Sequence, residues 1–135
     1  MFAIHVGLMM INLLWLFCIP WTPVVEPVPE VWGWHTDRWT PIVEEALEDY
    51  GLESELDTFM RVLWCESKGR PYAVNPTSGT SGLMQHMPQY WDWRAEESGF
   101  AGYSVFNPVA NIYASVWLLA LPDIGGWKHW ECYGL

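Results

Sequence analysis

Glu55-Leu56-Asp57-Thr58-Phe59-Met60-Arg61-Val62-Leu63-Trp64-Cys65-Glu66 is the stretch from which the rest of the chain is read. Leu56, Phe59, Met60, Leu63 and Trp64 recur at three- and four-residue spacing, which predicts an amphipathic helix, with Ser54 as its cap and Asp57 three residues later. Glu66 falls three residues after Leu63 and seven after Phe59, and so projects from the apolar stripe. A carboxyl there loses water and its pKa rises, because desolvation disfavours the charged form. That suits a general acid working near neutral pH, which must hold its proton until a leaving oxygen needs it. The competing reading is a solvated glutamate at a fraying helix end, and the position on the apolar face argues against it.

Residues 71–82 read as a loop with turns at Asn75-Pro76 and Ser78-Gly79. The loop brings Gly82-Leu83-Met84-Gln85, which starts sixteen residues beyond Glu66, back toward the acid-bearing helix. Glycine at position 82 allows a sugar or a facing backbone to come close, and Gln85 offers both a donor and an acceptor to hydroxyl or acetamido groups. One acid facing a glycine-flanked turn is minimal equipment for breaking a glycosidic bond by proton transfer. The residues therefore point to a polysaccharide.

Trp64-Cys65-Glu66-Ser67, Ala73-Val74-Asn75, Gly79-Thr80-Ser81-Gly82-Leu83-Met84-Gln85 and Met87-Pro88 resemble the soluble lytic transglycosylase (SLT) domain of the lysozyme-like superfamily. Tyr90-Trp91, Arg94-Ala95, Phe106-Asn107-Pro108, Ala110-Asn111 and Trp117-Leu118 are similar to the version found in actinobacteria and their phages. The resemblance spans residues 55–133. It implies a mainly α, small lysozyme-like domain with a short turn or hairpin region beside the cleft. It also implies glycan strands of peptidoglycan as substrate, Glu66 as acid and base, and sugar contacts from Ser67, Gly82, Leu83, Met84 and Gln85. Tyr90, Trp91, Tyr113 and Trp127 are the aromatic candidates for the cleft, Tyr113 because the family often has an aromatic there. Many SLT domains carry a later Ala-Tyr-Asn-Ala-Gly motif that this chain lacks. Its ending, Gly125-Gly126-Trp127-Lys128-His129-Trp130-Glu131-Cys132, resembles the compact domains of resuscitation-promoting factors, whose tail also carries a late cysteine.

Two-carboxylate hydrolases use one acid and one nucleophile or base. Residues 67–91 contain no Asp or Glu, so a single-acid transglycosylase mechanism fits better. Asp92 and Glu96 keep a hydrolytic muramidase open should a later helix fold over the cleft. A wall-binding module without turnover is the alternative from another class.

Cys65 and Cys132 are expected to form a disulfide that pins the tail beside the acid-bearing helix, the alternative being two unrelated buried thiols. Residues 2–19, broken mainly by His5 and Asn12, form an apolar leader that reads as a signal peptide or a membrane anchor. They lack a basic residue before them and a small-residue cleavage site after them, and Cys18 lacks the small residues that precede a lipoprotein cysteine. Residues 20–35 then form a proline-rich spacer and 36–135 the domain. The expected setting is extracytoplasmic, with contact to membrane only through the leader, and the expected state is a monomer.

A first domain helix is predicted with Thr40 as cap and Pro41 in its first turn, and a late one with Asn107 and Pro108 in the same roles. Trp64 and Trp117 sit at core spacing, and because large aromatics supply much of a small domain's burial, most of the eleven tryptophans read as packing residues. A net charge of −10 argues against nucleic acid. Much of it lies on Glu44, Glu45, Glu48, Asp49, Glu53, Glu55 and Asp57, a solvated face. The four histidines are scattered, which supports neither a metal nor a cofactor site. His86 reads as a locally satisfied histidine near the cleft.

Overall fold

The computed structural model describes residues 31–135, so the apolar leader, Cys18 and most of the proline-rich spacer lie outside the described residues. Within them the chain runs through a one-turn helix α1 (Trp34–Asp37), then α2 (Thr40–Asp49), α3 (Leu56–Ser67), α4 (Pro88–Glu97) and α5 (Pro108–Ala120). A 3-10 turn, Glu53–Glu55, leads into α3, and two more, Trp127–His129 and Glu131–Gly134, close the chain. Between α3 and α4 the backbone is tied by isolated antiparallel bridges, Val74 to Ser81 and Ser81 to His86. This is the mainly α domain with a short turn region that the sequence predicts. Among the described residues no helix is long and apolar enough to cross a membrane.

Helix α5 buries Ala110, Ile112, Ala114, Val116 and Leu118, and a helix apolar around most of its circumference belongs at the centre. Val43, Ala46 and Leu47 of α2, Phe59, Met60, Val62 and Leu63 of α3, and Leu83, Met84 and Trp130 join α5 in one core. A second cluster sets Trp91 and Ala95 of α4 against Ala110 and Ala114. Those two alanines lie one turn apart, and their small side chains let α4 and α5 approach closely. Glu44, Glu45, Glu48 and Asp49 face solvent on the outer side of α2.

Asn107 caps α5 as predicted, its Oδ1 accepting from the Ala110 amide at 3.0 Å, with Pro108 following. The other two predicted caps are not used. The Ile42 and Val43 amides at the start of α2 donate to the Trp39 carbonyl, while the Thr40 hydroxyl turns to the Met60 sulfur at 3.9 Å. Helix α3 is entered through the Glu53–Glu55 turn and has no side-chain cap, so Ser54 does not fill that role. In both cases a preceding turn delivers the chain already coiled. The Trp32 amide donates to the Asp37 carboxylate at 3.2 Å and the Trp32 ring packs on the core margin. The folded body therefore takes in residues 32–35, which the sequence assigns to the spacer.

Candidate active site

Glu66 is the penultimate residue of α3, which stops because Lys68 and Gly69 adopt left-handed φ of 55° and 72°. At Gly69 a Cβ would collide with the backbone of His35 and Thr36, and its carbonyl accepts from the Trp39 indole at 2.9 Å. Helix α1 thus clamps the chain directly after the acid. Just before it, Cys65 is disulfide-bonded to Cys132, which fixes the tail alongside.

A cavity of about 520 Å³ opens over Glu66, walled by Asn75, Thr77, Ser78 and Thr80 from the loop, by Gln85 and Met87, and by His129, Trp130 and Glu131 from the tail. Glu66 is half-buried, and its pKa is raised chiefly by desolvation. The Cys132 backbone amide pulls the other way, and the nearby Glu131 charge adds to the rise. The loop wall is preorganised. Asn75 Oδ1 accepts from the Thr77 and Ser78 amides at 2.9 and 3.2 Å, the Ser78 and Thr80 hydroxyls meet at 2.9 Å, and Thr80 donates to Gln85 Oε1 at 3.0 Å. A wall of hydroxyls and amides facing a carboxyl of raised pKa suits a polyol substrate.

The turn carrying Gly82, Leu83, Met84 and Gln85 is built for packing. A Cβ at Gly82, where φ is 83°, would collide with the Asn111 side-chain amide and the Val105 carbonyl, so the close neighbour is the protein itself. Leu83 and Met84 are wholly buried core residues. Asn111 holds the turn to α5, accepting from the Met84 amide at 2.9 Å and donating to the Val105 carbonyl at 2.8 Å. Gln85 is at the cavity, but its Nε2 is occupied by the Ala73 and Gly82 carbonyls at 3.2 and 2.9 Å. Its amide shapes the wall more than it offers itself to a sugar. Ser67 is buried, and its hydroxyl donates back to the Leu63 carbonyl at 3.2 Å.

Among the aromatic candidates, only Tyr90 lines the groove, in a second cavity of about 310 Å³ that shares Gln85, Met87, His129 and Trp130 with the first. Tyr113 instead ties α5 to α2 by donating to Asp49 Oδ2 at 3.0 Å, and burial with that bond pushes its pKa up to about 12. Trp127 donates to Glu55 Oε2 at 2.9 Å and packs among Phe59, Trp130 and Tyr133. Trp91 is buried and donates to the Tyr103 carbonyl at 2.8 Å. Each of these three has a structural partner that sequence spacing does not reveal. The aromatic wall of the Glu66 cavity is Trp130, whose indole donates to the Met84 carbonyl at 2.9 Å.

Asp92 and Glu96 point into solvent from α4 and do not line the cavity. The carboxylate that does share it with Glu66 is Glu131, brought there by the tail. The sequence reading looks for a second acid in residues 67–91 and then at Asp92 and Glu96, and the tail supplies one instead. Behind the site, His86 is buried, with Nδ1 accepting from Arg94 Nη1 at 2.9 Å, since arginine only donates. Its Nε2 therefore carries the proton and donates to Ser115 Oγ at 2.8 Å, and Ser115 donates to the Asn111 carbonyl at 2.8 Å. Burial, reinforced by the Arg94 charge, lowers the His86 pKa to about 3, so the ring is neutral.

The family model described as the transglycosylase SLT domain matches residues 42–130, from α2 through Trp130. No curated protein and no solved structure matches the chain.

Proposed function

The chain belongs to the transglycosylase SLT domain family, and from that membership we propose that it is a peptidoglycan lytic transglycosylase in which Glu66 is both acid and base. The observation that carries the reading is a half-buried carboxyl of raised pKa at the floor of a groove walled by hydroxyl and amide groups. Protonated Glu66 gives its proton to the oxygen bridging muramic acid to glucosamine, and the bond from that oxygen to the muramic C1 breaks. The carboxylate left behind takes the proton of the muramic 6-hydroxyl as O6 bonds to C1. The products are a free glucosamine 4-hydroxyl and a 1,6-anhydromuramic end, and Glu66 is protonated again. No water is consumed. Such a reaction belongs outside the cytoplasm, where peptidoglycan lies, and residues 1–19 suit the export or anchoring it requires.

Glu131 favours a second reading, hydrolysis, in which it activates a water while Glu66 protonates the leaving oxygen. Release of soluble fragments from purified peptidoglycan separates the two. Glu66→Gln is expected to slow release by at least about 100-fold, the scale of a lost general acid, and Glu131→Gln by less than about 10-fold. Equal loss at both positions, with water incorporated into the product, would favour hydrolysis. Full activity in Glu66→Gln would sink the proposal.

A further inference from the structure

Arg94 is only 8% exposed, yet among the described residues no carboxylate pairs with it. One nitrogen, Nη1, donates to neutral His86, and the guanidinium carbon lies 5.3 Å from the centre of the Tyr90 ring. Its Nε–H is enclosed without an acceptor, and among the described residues Nη2 has no partner either. Guanidinium stays protonated in proteins, so this is a largely desolvated positive charge whose enclosed Nε is unsatisfied and whose Nη2, left open, has no partner among the described residues. Burial without an anion is costly, and such an orphaned group asks for a ligand.

Arg94 borders the second cavity, on the far side of the shared wall of Gln85, Met87, His129 and Trp130 from Glu66. The shared lining makes the two cavities neighbours, so that a strand laid over Glu66 would have the second cavity next to it. We propose that Arg94 is an anion-binding group of this groove and receives a carboxylate of the glycan strand beside the bond that Glu66 cleaves. The inference rests on the glycan-cleaving reading. Two carboxylates of that polymer have the chemistry, the lactyl carboxylate of a peptide-free muramic acid and a carboxylate of the peptide stem. Nε is closed off by the protein, so the nitrogen that either carboxylate can reach is Nη2, by a charge-assisted hydrogen bond. A chain of net charge −10 repels anions in general, so a preference for the charged sugar has to come from a local cation of this kind.

Binding to the full chain carrying Glu66→Gln tests this without turnover. The probes are peptide-free glycan oligomers with lactyl carboxylates, the same oligomers with those groups reduced to alcohols, and peptide-bearing oligomers with free or methyl-esterified stem carboxylates. Removing the relevant carboxylate is expected to weaken binding by about 10-fold or more, as for a lost charge-assisted hydrogen bond. Adding Arg94→Gln should erase the difference, and Arg94→Lys should restore part of it. Whichever pair shows the difference identifies the source. If Arg94→Gln does not fold, the native and blocked oligomers on the Arg94-containing chain still decide. Equal binding of both members in both pairs would overturn the role of Arg94 and leave that of Glu66 standing. Binding of none of them, together with no release of fragments by the unmodified protein, would overturn both.

Discussion

Withdrawing water from Glu66 couples its chemistry to the stability of the fold. Its folded pKa is raised above the ordinary glutamate value of about 4.3, so the folded state holds a proton that the unfolded chain releases. The stability linked to that proton is complete below about pH 4 and is lost as pH rises through the folded value. Glu66→Gln cannot ionise. It should melt above the unmodified protein at pH 7 and together with it near pH 4, and activity of the unmodified protein should fall as pH rises through the same interval. Identical melting at pH 7 would contradict the desolvated acid. His86 works with the opposite sign. Its folded pKa of about 3 lies below the ordinary value of about 6.5, so its contribution is present above about 6.5 and lost as pH falls toward 3. A glutamine at this position can accept from Arg94 and donate to Ser115. His86→Gln should therefore cost about 1 to 2 kcal/mol at pH 7, for an imperfect buried network, yet lose stability less steeply between pH 6.5 and 3 in denaturant titrations.

The tail from Trp127 onward has no regular helix longer than a few residues, and it depends on α3 for its position. The Cys65–Cys132 disulfide spans a sequence separation of 67, and in the chain-entropy model closing such a loop contributes about 4 kcal/mol. Trp127 adds an indole bond to Glu55 and a stack on Tyr133 with ring centres 5.4 Å apart. Reduction, or Cys132→Ser, should lower the melting temperature by ten degrees or more for a domain of this size, and should also reduce activity, because Trp130 and Glu131 wall the Glu66 cavity. An unchanged melt under reducing conditions would contradict this. The helices themselves were largely legible, because the stripe of Leu56, Phe59, Met60 and Leu63 and the Asn107-Pro108 start are local signals. Thr40 and Ser54 misled for an equally local reason. Each matches a cap by residue type, but the turn before it had already begun to coil, and no alphabet of single residues reports that.

Across the whole molecule, what the sequence concealed is what tertiary folding brings together. Glu131 stands 65 positions after Glu66 and reaches the cavity on a tail held by the Cys65–Cys132 bond and by the indole bonds of Trp127 and Trp130. Tyr113 and Trp127 read as sugar platforms because their partners, Asp49 and Glu55, lie in distant segments. Arg94 looks like an ordinary surface residue of α4 until its burial and the lack, among the described residues, of a carboxylate paired with it are seen together. Glu66, by contrast, was visible from its place on an apolar face. The most direct measurement of its role is the mass of the soluble muropeptides released from peptidoglycan by the full chain and by Glu66→Gln. The expected result is products lighter by one water than hydrolysis would give, made by the unmodified protein and absent with Glu66→Gln. Products carrying that water at a reducing end, or the same products from both proteins, would contradict Glu66 as the acid and base of an anhydro-forming cleavage.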